Sequence, residues 1–167
     1  MASIIHDYDA LMIRSGTQVT GDIINSSKKL RIIGRAGVGV DNVDVKAATQ
    51  KGVLVVNSPG GNTIAAAEHT IAMMLALSRN IPIANSSTFL GKWERKKFVG
   101  NELFKKKLGV VGLGKIGTHV AKVANALGMD VYGYDPFVSS ERAQQLQVRL
   151  SELKTLFEES DYLTLHL

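Results

Sequence analysis

The chain has 167 residues, 45% of them hydrophobic and 21% charged, with a formal net charge of +5 at pH 7. This balance supplies apolar material for a core and excludes a disordered or collagen-like polymer. The absence of cysteine excludes disulfides and thiolate metal sites and suits a reducing compartment. The longest nearly apolar segment, Ile64 to Leu77, is broken by Glu68 and His69 and is too short to cross a bilayer. Met1 to Asp7 shows no basic, apolar leader, so a cytoplasmic protein without a membrane partner is expected.

In chain order, Ala10 to Arg14 is an apolar run ending in a charge and predicts a strand. A helix capped by Thr17 should follow to about Asn25 or Ser26. Leu30 to Gly34 predicts a second strand that also ends at an arginine, Arg35. The loop Ala36-Gly37-Val38-Gly39-Val40-Asp41-Asn42-Val43 leads to Asp44, which can cap a short helix stopped at Lys51-Gly52. Val53 to Val56 then reads as a third buried strand. Alternating strand and helix point to a parallel α/β unit.

Ligands in open α/β sheets bind at the carboxyl ends of strands, where Arg14 and Arg35 both fall. A guanidinium fork suits carboxylate or phosphate, and two converging forks suit a small anionic substrate bearing both. The backbone of Gly37, Val38 and Gly39 could add N–H donors in an anion nest. The alternative is that both arginines are surface residues paired with acids.

Asn57-Ser58-Pro59-Gly60-Gly61-Asn62 concentrates turn formers and predicts the domain hinge, dividing the chain into residues 1–58 and 59–167. Thr63 to Ser78 predicts a helix with Ile64, Ala67, Ile71, Met74, Leu75 and Ser78 on one face, the Met73-Met74 pair serving as core filling. Glu68 and His69 are adjacent, point in different directions, and do not read as an acid/base pair. Ile81 to Phe104 reads as a helix followed by an irregular basic stretch. Lys92, Arg95, Lys96, Lys97, Lys105, Lys106 and Lys107 supply much of the net charge there. Only Trp93 and Phe98 interrupt them, so a solvated face is expected and a nucleic-acid surface is not.

Leu108 to Val111 predicts a buried parallel strand, because aliphatic residues follow one another without polar alternation. From Ile116 the period changes, placing Ile116, Val120, Val123, Ala124 and Leu127 on one face of a helix that Gly128 can close. Between them Gly112, Gly114 and Gly117 are spaced as G-x-G-x-x-G, the pattern of a dinucleotide pyrophosphate loop at a helix N-terminus. Asp130 to Tyr134 reads as the next strand, ending at Asp135. An acid there suits the ribose hydroxyls of NAD and repels the 2′-phosphate of NADP. Glu141 to Gln147 and a segment capped by Ser151 should be helices, Val148 to Leu150 a short strand, and Tyr162 to Leu167 a buried strand. A sheet ending on that strand lacks the second half of such folds, which predicts a piece of a longer protein. The expected fold class is thus an incomplete, Rossmann-type, doubly wound parallel sheet (59–167) beside part of a flavodoxin-like α/β substrate domain (1–58).

With these residues in place, the chain resembles the D-isomer-specific 2-hydroxyacid dehydrogenases over nearly its whole length. The carriers are Arg14-Ser15, Gly34 through Asp44, Gly91-Lys92-Trp93-Glu94-Arg95-Lys96-Lys97-Phe98, Gly112 through Gly117, and Gly133-Tyr134-Asp135-Pro136. The Trp93 block is the narrowest of these and points to the branch acting on 3-phosphoglycerate. The resemblance implies that Arg14, Arg35 and the backbone from Gly37 to Gly39 hold the substrate. It also implies that Lys115 and Ile116 flank the pyrophosphate of NAD, that Asp135, with Pro136 beside it, meets the adenosine ribose, and that His166-Leu167 approaches the cofactor. The family's catalytic arginine, glutamate and histidine lie beyond Leu167. None of His6, His69, His119 or His166 matches that histidine, so no catalytic residue is assigned and little turnover is expected from these residues alone. In the intact family the reaction is oxidation of 3-phosphoglycerate to 3-phosphohydroxypyruvate, the entry to serine synthesis, by a homodimer or higher oligomer whose contacts include the basic loop. A glyoxylate or hydroxypyruvate reductase, or an NAD-sensing corepressor-like scaffold, are the competing expectations.

Overall fold

The computed structural model describes residues 3–167. They form two compact units, one running to Asn62 and one from Thr63 to Leu167. In the first, β1 (Ala10–Ile13), β2 (Ile32–Arg35) and β3 (Leu54–Asn57) make a parallel sheet in the order β1-β2-β3, joined through α1 (Gly21–Ser26) and α2 (Val45–Gln50). Register aligns Ile13 with Arg35 and Arg35 with Asn57. Ile13, Val19, Ile24, Leu30, Ile33, Ala48 and Val53 fill its core. Asp44 caps α2 as the sequence suggests, its carboxylate accepting from the Ala47 N–H at 2.9 Å. The Lys51 ammonium donates to the carbonyls of Ile24 and Asn25 at 2.7 and 2.6 Å, closing the negative end of α1 with a positive charge.

The second unit begins with α3 (Thr63–Ser78) and α4 (Ile81–Phe89), passes through a 3₁₀ turn at Arg95–Phe98, and enters the sheet at β4 (Lys107–Val111). There follow α5 (Lys115–Ala126), β5 (Asp130–Tyr134), α6 (Ser140–Gln145), β6 (Arg149–Leu150), α7 (Leu153–Glu159) and β7 (Tyr162–Leu165). All strands are parallel and ordered β6-β5-β4-β7, the 3-2-1-4 order of a Rossmann half-sheet. The direction of strand succession reverses beside β4, so the loops after β4 and β7 flank the switch point. Leu108 and Val110 are fully buried, each worth about 1.5–3 kcal/mol of burial. α3 packs on α5, with Ala67, Ile71 and Met74 joining Val120, Ala121 and Ala124 in one core. Leu127 caps α5 and Gly128, at φ 74°, turns the chain out of it.

Several local expectations need correction. The first helix starts at Gly21, not after Thr17, with Thr20 at its N-cap, because the Thr17 carbonyl is taken by Asn42 Nδ2 and Val19 is held in a bridge to Val43. Val19 bridges Val43 and accepts from the Asp44 N–H. Glu152 rather than Ser151 precedes α7. β3 and β7 are edge strands, not buried ones: Leu54 is 64% exposed and Leu165 61%. On α3, Met74 enters the core while Met73 is 59% exposed, and Ile64 is exposed as well, so the apolar stripe is narrower than its composition suggests. Among the described residues, no helix is long and apolar enough to cross a membrane.

Candidate functional site

The chain leaves β4 through Gly112 at φ 89°, a left-handed conformation disfavoured for residues with a Cβ. A Cβ at Gly112 would also strike the His166 carbonyl oxygen, and one at Gly117 would strike the Gly112 carbonyl oxygen. Gly117 therefore lets the first turn of α5 sit against the loop. Gly114 differs, because a Cβ there would meet nothing within 4 Å. The first glycine makes the turn, the third permits packing, and the second leaves open space above the backbone.

Two consecutive amides of this loop are tied to the end of β5. Gly112 N–H donates to the Tyr134 carbonyl at 2.8 Å, and Leu113 N–H donates to Asp135 Oδ2 at 2.8 Å. The other oxygen, Oδ1, accepts from Phe137 N–H at 2.9 Å. Gly112 and Asp135, far apart in sequence, thus share one short network. Beside them lies a cavity of about 420 Å³ lined by Gly133, Tyr134, Asp135, Pro136, Leu150, Ser151 and Glu152. Its lining carries two carboxylates and no cation. The amides of Gly114, Lys115 and Ile116 find no main-chain partner among the described residues, as the first turn of a helix requires. Lys115 is exposed and Ile116 half-buried. His166 follows β7, its N–H bonded to the Val111 carbonyl and its Nε2 lying 2.9 Å from Thr164 Oγ1. Burial lowers the pKa of its imidazole.

In the first unit, Arg14 is exposed just past β1, and Arg35 ends β2 with its side chain 10% exposed. The Arg35 guanidinium turns back over its own loop, donating from Nη1 to the Gly39 carbonyl and lying 3.4 Å from Asp41 Oδ1, while Nε is buried without a partner. Arg35 is therefore already paired with an acid, and Arg14 stands free of such a pair among the described residues. The carbonyls of Gly37 and Val38 are also engaged, by Ser58 N–H at 3.0 Å and Asn57 Nδ2 at 2.5 Å. Because a trans peptide directs C=O and N–H oppositely, the amides of Val38 and Gly39 face away from these partners. Neither has a main-chain partner among the described residues.

Asn57 and Ser58, read from sequence only as hinge residues, prop this loop. Asn42 is a second residue that sequence reasoning passed over. Buried, it donates from Nδ2 to the carbonyls of Arg14 and Thr17 at 3.0 and 2.6 Å, joining the two arginine-bearing loops. A turn-forming amide within a glycine-rich loop was all the sequence offered; its burial and its partners belong to the fold.

Elsewhere the basic stretch folds around an open groove of about 1110 Å³ whose lining includes Arg79, Trp93, Arg95, Lys97 and Phe98. Hydrogen bonds from Lys97 and Ser87 hold the Glu94 carboxyl below the usual carboxylate range. Among the described residues, no cluster of His, Asp or Glu could hold a metal ion.

Comparison with known proteins gives these loops a context. The family model for the D-isomer specific 2-hydroxyacid dehydrogenase catalytic domain matches residues 1–159. D-3-phosphoglycerate dehydrogenase from Synechocystis sp. is 62% identical over 164 residues, 98% of this chain and 30% of that protein. The enzyme of that name from Archaeoglobus fulgidus is 57% identical over 159 residues, covering 95% and 30%. The chain thus spans about a third of the length of these relatives. Among solved structures, D-lactate dehydrogenase from Aquifex aeolicus, complexed with NAD and lactic acid, superposes with a TM-score of 0.89 at 27% identity, over 100% of this chain and 50% of that one. The apo D-lactate dehydrogenase of Escherichia coli gives 0.83 at 32% identity, over 99% and 53%. The chain belongs to the D-isomer-specific 2-hydroxyacid dehydrogenases.

Proposed function

We propose that residues 63–167 hold NAD and that Arg14 and Arg35 hold a phosphorylated 2-hydroxy acid, 3-phosphoglycerate. The protein carrying these residues would then oxidise it to 3-phosphohydroxypyruvate at the entry to serine synthesis. The observation that carries the reading is the loop after β4: open space at Gly114, unpaired amides at the start of α5, and Asp135 one hydrogen bond away. These features fit a dinucleotide. The free amides and helix dipole accept the pyrophosphate, with Gly112, Gly114 and Gly117 shaping the cradle and Lys115 and Ile116 flanking it. The cavity beside Asp135 and Pro136 takes the adenosine end, where the carboxylates of Asp135 and Glu152 favour ribose hydroxyls over a 2′-phosphate. His166, after β7, lies at the other side of the switch point. NAD, when bound, supplies the hydride acceptor.

For the substrate, exposed Arg14 offers a free fork, and the outward amides of Val38 and Gly39 offer neutral donors. Asp41 holds Arg35 until an anion competes for it. The names and identities of the relatives favour 3-phosphoglycerate over lactate, glyoxylate or hydroxypyruvate. The exposed Trp93 and its basic neighbours are proposed to meet a second copy of the chain, in a cytoplasmic homodimer or higher oligomer.

The test compares turnover on 3-phosphoglycerate and on unphosphorylated D-2-hydroxy acids, with this chain joined to the remainder its relatives carry. A strong preference for the phosphorylated acid with NAD is expected, with little turnover from the 167 residues alone. Equal rates on D-lactate, or a preference for NADP, would reject the assignment.

A further inference from the structure

The phosphate loop and the group proposed to choose between dinucleotides are joined more closely than either role requires. A carboxylate that only faced a ribose would leave its oxygens to solvent and ligand. In Asp135 both oxygens are engaged within the chain, by Leu113 N–H at 2.8 Å from the glycine loop and by Phe137 N–H at 2.9 Å from the turn after β5. Gly112 N–H is held by the neighbouring Tyr134 carbonyl, so two successive loop amides are bonded to two successive residues of the β5 end. A backbone free of side chains at Gly112 and Gly114 has the most conformational freedom to lose on ordering. The carboxylate is acceptor-only and bonds amides more strongly than a neutral group would.

We infer that Asp135 is the latch of the glycine loop, a positioning residue that sets the shape of the phosphate cradle before any nucleotide arrives. The consequence for the donor set is specific. The amides of Gly112 and Leu113 are committed to β5, which leaves those of Gly114, Lys115 and Ile116 for an anion. A carboxylate offers about four lone-pair directions, so the two main-chain bonds leave capacity for a ribose hydroxyl. Latching and nucleotide discrimination are therefore two tasks of one group, and removing it cannot change one alone. The inference rests on the NAD reading only for what the cradle holds; the latch itself exists without ligand.

The test is amide hydrogen exchange on the 167-residue chain without nucleotide, read at Leu113, with Val110 and Val131 in the adjoining strands as internal controls. Asp135→Asn is nearly isosteric and keeps at most one acceptor oxygen; Asp135→Ala removes both. Leu113 is expected to exchange about tenfold or more faster in Asp135→Ala, the loss of one charge-assisted bond, and faster by a smaller factor in Asp135→Asn, whose remaining oxygen is a neutral acceptor, while the controls hold. In parallel titrations NAD should bind more weakly to Asp135→Ala, because the cradle itself loosens, and the gap between NAD and NADP should narrow through that loss of NAD affinity. Parent-like Leu113 exchange in Asp135→Ala would overturn the latch, as would an unprotected Leu113 in the parent. So would an Asp135→Ala protein that keeps full NAD affinity and gains NADP, since that is the behaviour of a charge gate alone. Should Asp135→Ala fail to fold, Asp135→Asn and parent protection decide. If neither nucleotide binds the parent, the NAD reading fails while the exchange data still judge the latch.

Discussion

The loop after β2 and the loop after β4 both leave the carboxyl end of a parallel strand, and both are rich in glycine, yet they assemble their positive potential by different routes. After β4 the donors are main-chain amides at the start of a twelve-residue helix, and no cation faces the neighbouring cavity. After β2 the charge is a guanidinium folded over Gly39 and Asp41, with amides beside it. A main-chain cradle is rigid and ready, whereas a paired arginine exchanges one anion for another. In the proposed function the first would receive a cofactor of constant shape and the second a smaller substrate whose binding displaces an internal partner.

The largest effect should come from attacking the backbone cradle. Gly117→Ala places a Cβ on the Gly112 carbonyl, and we expect a loss of about 3 kcal/mol in chemical denaturation, since only main-chain movement relieves the clash. Gly114→Ala is its counterpart. Gly114 has φ −67° and open space, so stability should change by less than about 0.5 kcal/mol. Affinity for NAD should nevertheless fall about tenfold, because the methyl group occupies the approach of the pyrophosphate. Equal stability losses in the two variants would erase the distinction between packing and cradle glycines.

Arg35→Lys tests the other loop. The ammonium keeps the charge but cannot reproduce the fork, so affinity for 3-phosphoglycerate should drop about tenfold in the joined protein, with NAD titrations unchanged. A parallel fall in NAD affinity would show that the two loops are not independent in this sense.

The smallest expected effect is a pH dependence. Burial lowers the His166 pKa from its ordinary 6.5, so below that pH the unfolded chain binds the proton more readily than the folded one. Stability should be full above about pH 6.5 and decline as the pH falls toward the lowered folded-state value. His166→Gln should flatten the slope in that window. The lowered carboxyl of Glu94 acts separately, its contribution fading only below the ordinary 4.5.

These contrasts also explain what could be read from the residues. The strand, turn and helix around Gly112, Gly114 and Gly117, and the place of Asp135 beside that turn, were legible because each element has a local signature and all of them agree. Leu108 to Val111 were legible as a buried strand for the same reason, yet Leu54 to Asn57 and Tyr162 to Leu165 look alike in composition and lie at sheet edges. An apolar run reports β-propensity, whereas edge or centre is a property of neighbours distant in sequence. Arg35 was placed at its strand end correctly, but its turn back onto Gly39 and Asp41 depends on dihedrals that glycine leaves open. Asn42 was passed over because its work, bonding the carbonyls of Arg14 and Thr17, is visible only once β1 and β2 lie side by side.

The most direct measurement is a titration of the isotopically labelled 167-residue chain with NAD, followed at each backbone amide, with NADP as the comparison. The account predicts that signals of Gly114, Lys115 and Ile116 move first and furthest, with Asp135 and Glu152 responding at the other end, and that NADP needs a higher concentration to do the same. Stationary signals at Gly114 to Ile116 under saturating NAD, or an equal response to both nucleotides, would contradict it.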